Sequence, residues 1–160
     1  ACTTLKELSS LGFPTKKKAL KTGIENINDN TGFRGRLHVI NQNPLTILDV
    51  SHNPDGIRAT LETVTHLNRG ELHVILGTSS DKDLKSIVAS FPENVKLYLT
   101  EFSNQRSARI EDILKVLPSG RKLEGTFSDP LQAFKLAQNN ATQDDTILII
   151  GSFFLVSDFF

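Results

Sequence analysis

Asp49 and His52 stand three positions apart in the run Asp49-Val50-Ser51-His52-Asn53-Pro54, where a strand-like segment gives way to a helix start. A carboxylate and an imidazole so placed can point into one crevice, and Ser51 between them invites a hydrolytic interpretation. Spacing opposes it. A serine exposed on a strand-to-helix elbow needs glycine two positions to either side, and Asp49 and Asn53 occupy those places. A capping turn explains the same residues, because the Asn53 side chain can accept from the first helical N–H groups and Pro54 suits the first turn. At this level, ligand crevice and helix cap both remain open.

Other polar residues fall where a ligand would be met. Arg36 follows the flexible run Gly32-Phe33-Arg34-Gly35, and its fork of donors suits a phosphate. Arg106 closes Ser103-Asn104-Gln105-Arg106, and Ser152 follows the apolar run Thr146 to Ile150 and Gly151. Asp81-Lys82-Asp83 precedes a helical pattern, where a cap and solvated charge account for it, so it stays outside the catalytic set. His38, His52, His66 and His73 are at no metal-ligand spacing, and the dense carboxylate sets that hard cations require are missing, so no intrinsic metal site is expected. Neither G-x-x-x-x-G-K-S/T nor G-x-G-x-x-G occurs, so a nucleotide handled here needs its phosphates cradled by another piece of protein.

Composition narrows the classes. At 160 residues, 38% of them hydrophobic, the chain suits one ordinary domain. Eighteen basic and 18 acidic residues cancel, which argues against nucleic acid or anionic lipid as partners. The run Lys16, Lys17, Lys18 is explained by a solvated helix face. Cys2 is the sole cysteine, which suits a reducing compartment and makes the cytoplasm the expected location. No apolar stretch nears the roughly 20 residues of a membrane span, and the start lacks a secretion signal. The absence of methionine suggests a fragment of a longer chain.

Such side chains need elements to hold them. Leu5, Leu8 and Leu11 share one helical face, Pro14 interrupts, and Leu20, Ile24 and Ile27 follow behind Thr15 as a possible cap. The Asn- and Gly-rich stretch Asn28 to Gly35 punctuates the chain, which places a boundary between residues 1–33 and 34–160. Two short strands, Leu37 to Ile40 and Thr46 to Val50, suggest a hairpin turning around Asn41 to Pro44. A helix opening at Pro54 carries Ile57, Leu61, Val64 and Leu67 on one face. Strands at 72–76, 95–99, about 121–127 and 146–150 then alternate with helices at 84–89, 110–117 and 130–139. Such alternation predicts a mostly parallel sheet with helices on both faces, and these sheets bind ligands beyond the carboxyl ends of their strands. Four loops lie there: Asp49 to Asn53, Gly77 to Asp83, Thr100 to Arg106, and Gly151 to Ser152.

Taken together, Gly35-Arg36, Asp49-x-x-His52-Asn53-Pro54, Gly77 with Asp81-Lys82-Asp83, and Gly151-Ser152-Phe153-Phe154-Leu155-Val156 resemble the bifunctional dihydrofolate and folylpolyglutamate synthases of the Mur ligase superfamily. The resemblance runs from about residue 5 to the end and covers the C-terminal third of such an enzyme. It implies a Rossmann-like Mur ligase C-terminal domain, α/β, with a largely parallel sheet of about six strands flanked by helices. Residues 1–33 would be the tail of an N-terminal phosphate-loop ATPase domain plus linker. The implied reaction activates a pterin or folate carboxylate with ATP, and L-glutamate attacks the acyl phosphate, releasing ADP and phosphate. Magnesium would be held mainly by the N-terminal domain. The resemblance puts Arg36 on the ATP phosphates, Asp49 on the ribose hydroxyls and His52 beside the nucleotide or incoming glutamate. It puts Ser152 and Arg106 at the glutamate end, although Gln105 stands where the family commonly has proline. The Asp-x-x-His-Asn-Pro element is shared with ligases that extend peptidoglycan precursors, which are an alternative, and a non-catalytic small-molecule binding module is another.

Overall fold

The structure, a computed structural model, describes residues 2–14 and 16–160, and the chain divides into two compact units, residues 1–34 and 35–160. The first unit holds α1 (Cys2–Ser10), α2 (Lys17–Glu25) and α3 (Ile27–Thr31). Thr15, the expected cap, lies outside the described residues. Helix α3 runs into the Asn-rich stretch that the sequence pattern treats as a break. There the Thr31 hydroxyl donates to the Ile27 carbonyl at 2.6 Å, and just before it, at the end of α2, Asn26 Nδ2 donates to the Thr22 carbonyl at 2.9 Å. Side chains that usually favour turns thus satisfy helical carbonyls.

The second unit opens with a hairpin of β1 (His38–Gln42) and β2 (Leu45–Asp49), closed by a turn with a cis Asn43–Pro44 peptide. There follow α4 (Pro54–Leu67), β3 (Leu72–Leu76), α5 (Leu84–Ala89), β4 (Lys96–Thr100), α6 (Ile110–Val116), β5 (Gly125–Phe127), α7 (Pro130–Asn140), β6 (Thr146–Ile150) and α8 (Phe153–Ser157). The six strands form one sheet in the order β1-β2-β6-β3-β4-β5, parallel throughout except at the hairpin. This is the mostly parallel, helix-flanked sheet that the alternation predicts. Helix α8 escapes the pattern because five residues are too few to show a period. No helix among the described residues is long and apolar enough to cross a membrane.

The central strands are continuous apolar runs because both faces are covered. Val74, Leu76, Leu148 and Ile150 pack with Ile57, Leu61 and Val64 of α4, Ile87 of α5 and Ile113 of α6. Their alternate neighbours Ile75, Tyr98, Ile147 and Ile149 pack with Ala133 and Ala137 of α7 and Leu155 and Val156 of α8. Each such Leu or Ile contributes about 1.5–3 kcal/mol when fully buried. Pairing of Asp49 with Ile150, of Ile150 with Leu76, and of Leu76 with Leu99 brings the carboxyl ends of β2, β6, β3 and β4 to one edge. At that edge Gly151 has φ +125, and a Cβ added to it would lie 2.4 Å from the Gly77 carbonyl oxygen. Only glycine lets these loops approach so closely.

At the opposite end, His73 is 1% exposed, with Nδ1 2.9 Å from the Tyr98 hydroxyl and Nε2 3.7 Å from the Asp145 carboxylate. Burial lowers the His73 pKa from 6.5, against the pull of Asp145, Glu71 and Glu124. Burial pushes the Asp145 carboxyl up, but the N–H groups of Thr142 and Glu71, with the nearby His73, outweigh it and hold the pKa below 3.8.

Two stability predictions follow from these contacts. Gly151→Ala should lower the free energy of unfolding in urea by at least about 2 kcal/mol; an unchanged midpoint would contradict the close crossing. Above pH 6.5 His73 is neutral folded and unfolded, whereas below it the unfolded chain takes up the proton first. Stability should therefore decline as pH falls from 6.5, by up to about 1.4 kcal/mol per pH unit until the folded-state value is reached. The Asp145 contribution is lost only below 3.8, as pH falls through its lowered folded-state value. His73→Gln should flatten the upper window, as followed by denaturation midpoints across pH.

Candidate functional site

Arg36 is fixed through its neighbours. Gly35, at φ +100, lies so close to the end of β2 that an added Cβ would come within 2.9 Å of Val50 Cγ1, and its carbonyl accepts from Val50 N–H at 2.7 Å. On the other side, Leu37 N–H donates to Asp49 Oδ2 at 2.9 Å. Arg36 itself is exposed, and among the described residues no hydrogen bond or ion pair engages its guanidinium.

Asp49 ends β2 and is 2% exposed. Besides Leu37 N–H, it accepts from Ser51 N–H at 2.8 Å and from the Thr60 hydroxyl at 3.2 Å, both on Oδ1. The Ser51 and Thr60 hydroxyls lie 3.1 Å apart. The ribose role implied for Asp49 thus meets a carboxylate already held by three protein donors. Next in the loop, His52 is half-buried, with Nδ1 3.0 Å from the Val50 carbonyl and its ring 6.0 Å from that of Phe153. A carbonyl can only accept, so Nδ1 carries a proton, and in the neutral ring Nε2 is the acceptor. Asn53 Oδ1 accepts from Gly56 N–H at 2.8 Å, and Pro54 opens the helix, as the cap interpretation requires.

Arg36, Leu37, Asp49 and Ser51 line a pocket of about 250 Å³ whose other wall is Gly56, Thr60 and their neighbours on α4. Small-molecule sites usually enclose roughly 300–1,000 Å³. This hollow therefore accommodates part of a nucleotide rather than all of it.

A second group gathers along the same edge. The Arg106 guanidinium donates to Asp81 Oδ2 at 3.0 Å and lies over the Phe154 ring, 5.8 Å from its centroid. Desolvation raises the Asp81 carboxyl, but hydrogen bonds from Arg106 and Lys82 and their charges outweigh it and hold it below the usual range. Backbone bonds from Ser80 N–H to the Arg106 carbonyl and from Ala108 N–H to the Thr78 carbonyl, both 2.8 Å, stitch the loops after β3 and β4 together. Ser152 is 3% exposed and its oxygen accepts from Phe154 N–H at 3.1 Å, capping α8. Phe154 thus links the two glutamate-end candidates, lying under Arg106 on the helix that Ser152 caps.

Among the acids set aside in the sequence, Asp83 is the expected cap, accepting from Ser86 N–H at 3.1 Å, whereas Asp81 is the partner of Arg106. The Asp-Lys-Asp run was the available signal for it. Leu37 and Thr60, which complete the surroundings of Asp49, gave none.

A mostly parallel sheet covered by helices on both faces, with a hollow beyond its strand ends, defines an α/β domain of the Rossmann-like type. The family described as Mur ligase, glutamate ligase domain, matches residues 35–153, and the chain belongs to it. Among curated relatives, the dihydrofolate synthase/folylpolyglutamate synthase of Escherichia coli (strain K12) is 28% identical over 159 residues, 98% of this chain and 36% of the relative. Among solved structures, the bifunctional folylpolyglutamate synthase/dihydrofolate synthase of Yersinia pestis, complexed with AMPPNP and Mn ion, is 27% identical with a TM-score of 0.78, over 94% of this chain and 36% of that one. The E. coli FolC in complex with DHPP and ADP is 27% identical with a TM-score of 0.78, over 97% and 36%. The chain thus spans about a third of the length of these relatives.

The geometry separates two arginine-side groups by their effect on folding. Arg36→Ala should change stability by no more than about 0.5 kcal/mol, because the side chain is exposed and has no partner among the described residues. Asp49→Ala should cost about 2–4 kcal/mol by stranding the Leu37 and Ser51 N–H groups. Equal losses in chemical denaturation would contradict this assignment.

Proposed function

We propose that this chain is the glutamate-ligase domain of a cytoplasmic ATP-dependent ligase that joins L-glutamate to dihydropteroate or a folate. In that reaction the acceptor carboxylate attacks the γ-phosphorus of ATP, giving an acyl phosphate and ADP. The glutamate amine then attacks the acyl carbon, the amide forms and phosphate departs. The observation that carries the proposal is the Arg36 guanidinium, unengaged among the described residues and anchored beside a partial pocket at the carboxyl edge of the sheet.

A fixed cation there offsets negative charge that develops on the transferring phosphoryl group. The pocket is too small to hold a whole nucleotide, which fits a site whose triphosphate is gripped by a separate phosphate-loop ATPase domain, with residues 1–33 its tail and linker. Magnesium, held mainly by that ATPase domain, would accompany the triphosphate and neutralise charge on its oxygens. His52 Nε2 is available to accept from the nucleotide or from the incoming amine. Arg106, oriented by Asp81 and Phe154, presents its remaining donors to a glutamate carboxylate, and Ser152 holds the start of α8 beneath it. The ligand-bound relatives and the glutamate-ligase family support this assignment of substrates.

The test is glutamate-dependent ADP release by the ligase that this chain forms with its ATPase domain. Turnover is expected with dihydropteroate or a folate as acceptor, and Arg36→Ala should lower it about 100-fold with the fold intact by circular dichroism. Unchanged turnover in Arg36→Ala would remove the assigned role. Turnover only with a nucleotide-linked muropeptide would move the substrate to peptidoglycan precursors.

A further inference from the structure

Helix α8 ends on Asp158, whose half-buried carboxylate takes both donors of a single residue in another loop. Ser103 N–H donates to Oδ2 at 3.1 Å and the Ser103 hydroxyl to Oδ1 at 2.9 Å. A carboxylate beside the free carbonyls of a helix end is badly placed unless donors meet it, and Ser103, 55 residues away, supplies them. Two bonds from one residue fix its direction as well as its place. Fixing Ser103 also fixes Arg106, because the turn between them closes on itself. Arg106 N–H donates to Asn104 Oδ1 and Ser107 N–H to the Asn104 carbonyl, both at 2.9 Å, and Ser107 Oγ accepts from Phe102 N–H at 3.1 Å. The same helix meets this loop twice more, with Phe102 stacked on Phe154 at 6.1 Å between ring centroids and the Arg106 guanidinium over the Phe154 ring. Helix α8 thus has Ser152 at its start, the ring under Arg106 in its first turn, and at its end the carboxylate that grips the Arg106 loop.

We propose that Asp158 is a positioning residue: by taking both Ser103 donors it clamps the loop of residues 102–107 onto α8 and so sets where Arg106 stands to receive the incoming glutamate. The inference rests on the proposed ligase function, in which Arg106 meets a glutamate carboxylate. The pair of Arg106 with Asp81 is exposed and weak, and it is the restraint for which a substrate carboxylate competes. As that pair yields, the loop depends on anchors of its own: on one side the backbone bonds to the loop after β3, on the other Asp158. With the clamp removed, the turn past Phe102 is held from the β3 side alone, and the guanidinium spreads over positions off the Phe154 ring.

The experiment sets Asp158→Ala and Asp158→Glu beside Arg106→Ala in the intact ligase. Asp158→Ala should raise KM for glutamate about 10-fold, with kcat and KM for ATP changed by no more than about two-fold. Asp158→Glu keeps two acceptor oxygens and should recover part of that loss. Because Asp158 acts through Arg106, Asp158→Ala should add nothing to the KM for glutamate of Arg106→Ala. An equal increment in the Arg106→Ala background, KM for ATP and glutamate rising together, or no rise at all would each overturn the proposal. On this chain alone, amide hydrogen exchange at Ser103 should accelerate about ten-fold in Asp158→Ala, and unchanged exchange would mean that no clamp exists. Should Arg106→Ala itself leave KM for glutamate unchanged, the glutamate role of Arg106 falls, and the exchange rate at Ser103 still decides whether Asp158 holds the loop.

Discussion

Strand β6 has water on neither face. Its residues Thr146–Ile150 are all buried, Leu148 and Ile150 against the side that carries α4 to α6, Ile147 and Ile149 against the side that carries α7 and α8. A strand covered on both faces and bonded along both edges, to β2 and β3, leaves its loops only one way out, at the ends. Because these neighbours run parallel, their carboxyl ends emerge together, and Asp49, His52, Asp81 and Ser152 are carried on or just beyond those ends. The glycine contact between residues 77 and 151 is what lets two of the exits lie side by side.

The two arginines on this edge are prepared differently. Arg36 is unengaged among the described residues and is aimed by its backbone, which is anchored at Gly35 and Leu37. Arg106 is aimed by its side chain, which bonds Asp81 and stacks over Phe154. An exposed pair such as Arg106 and Asp81 contributes about 0–1 kcal/mol, so it orients the guanidinium while leaving it easily shared with an incoming carboxylate. Under the proposed function a phosphate site and an amino-acid site would share one sheet edge, the first presenting a cation unengaged among the described residues and the second a cation with a weak resident partner.

Much of the scaffold was legible because its signals are local. The apolar runs at 72–76 and 146–150 and the helix at 84–89 match the elements observed, and Asn53 and Asp83 cap helices where their positions suggest. Strand β4 begins one residue later than expected, at Lys96, and β5 is reduced to Gly125–Phe127. Helix α3 extends into the stretch from Asn28 that the sequence pattern treats as a break, and there the Thr31 hydroxyl bonds back to the Ile27 carbonyl of its own turn. The pairing of Asp81 with Arg106 was not legible, because the two lie 25 residues apart on different loops.

The sequence by itself determined most of the strands and helices of residues 35–160, that both sheet faces are covered, and which loops carry ligand-type side chains, since each rests on periodicity, caps and turn residues within a few positions. Only the tertiary structure decided the strand order, the left-handed Leu37, at φ +44, and the protein donors that meet the Asp49 carboxylate. These depend on contacts such as Leu37 to Asp49, 12 residues apart, and Glu71 to Asp145, 74 apart. A backbone angle held by a distant carboxylate leaves no trace in its own neighbourhood of the chain, because the energy that sets it comes from the partner.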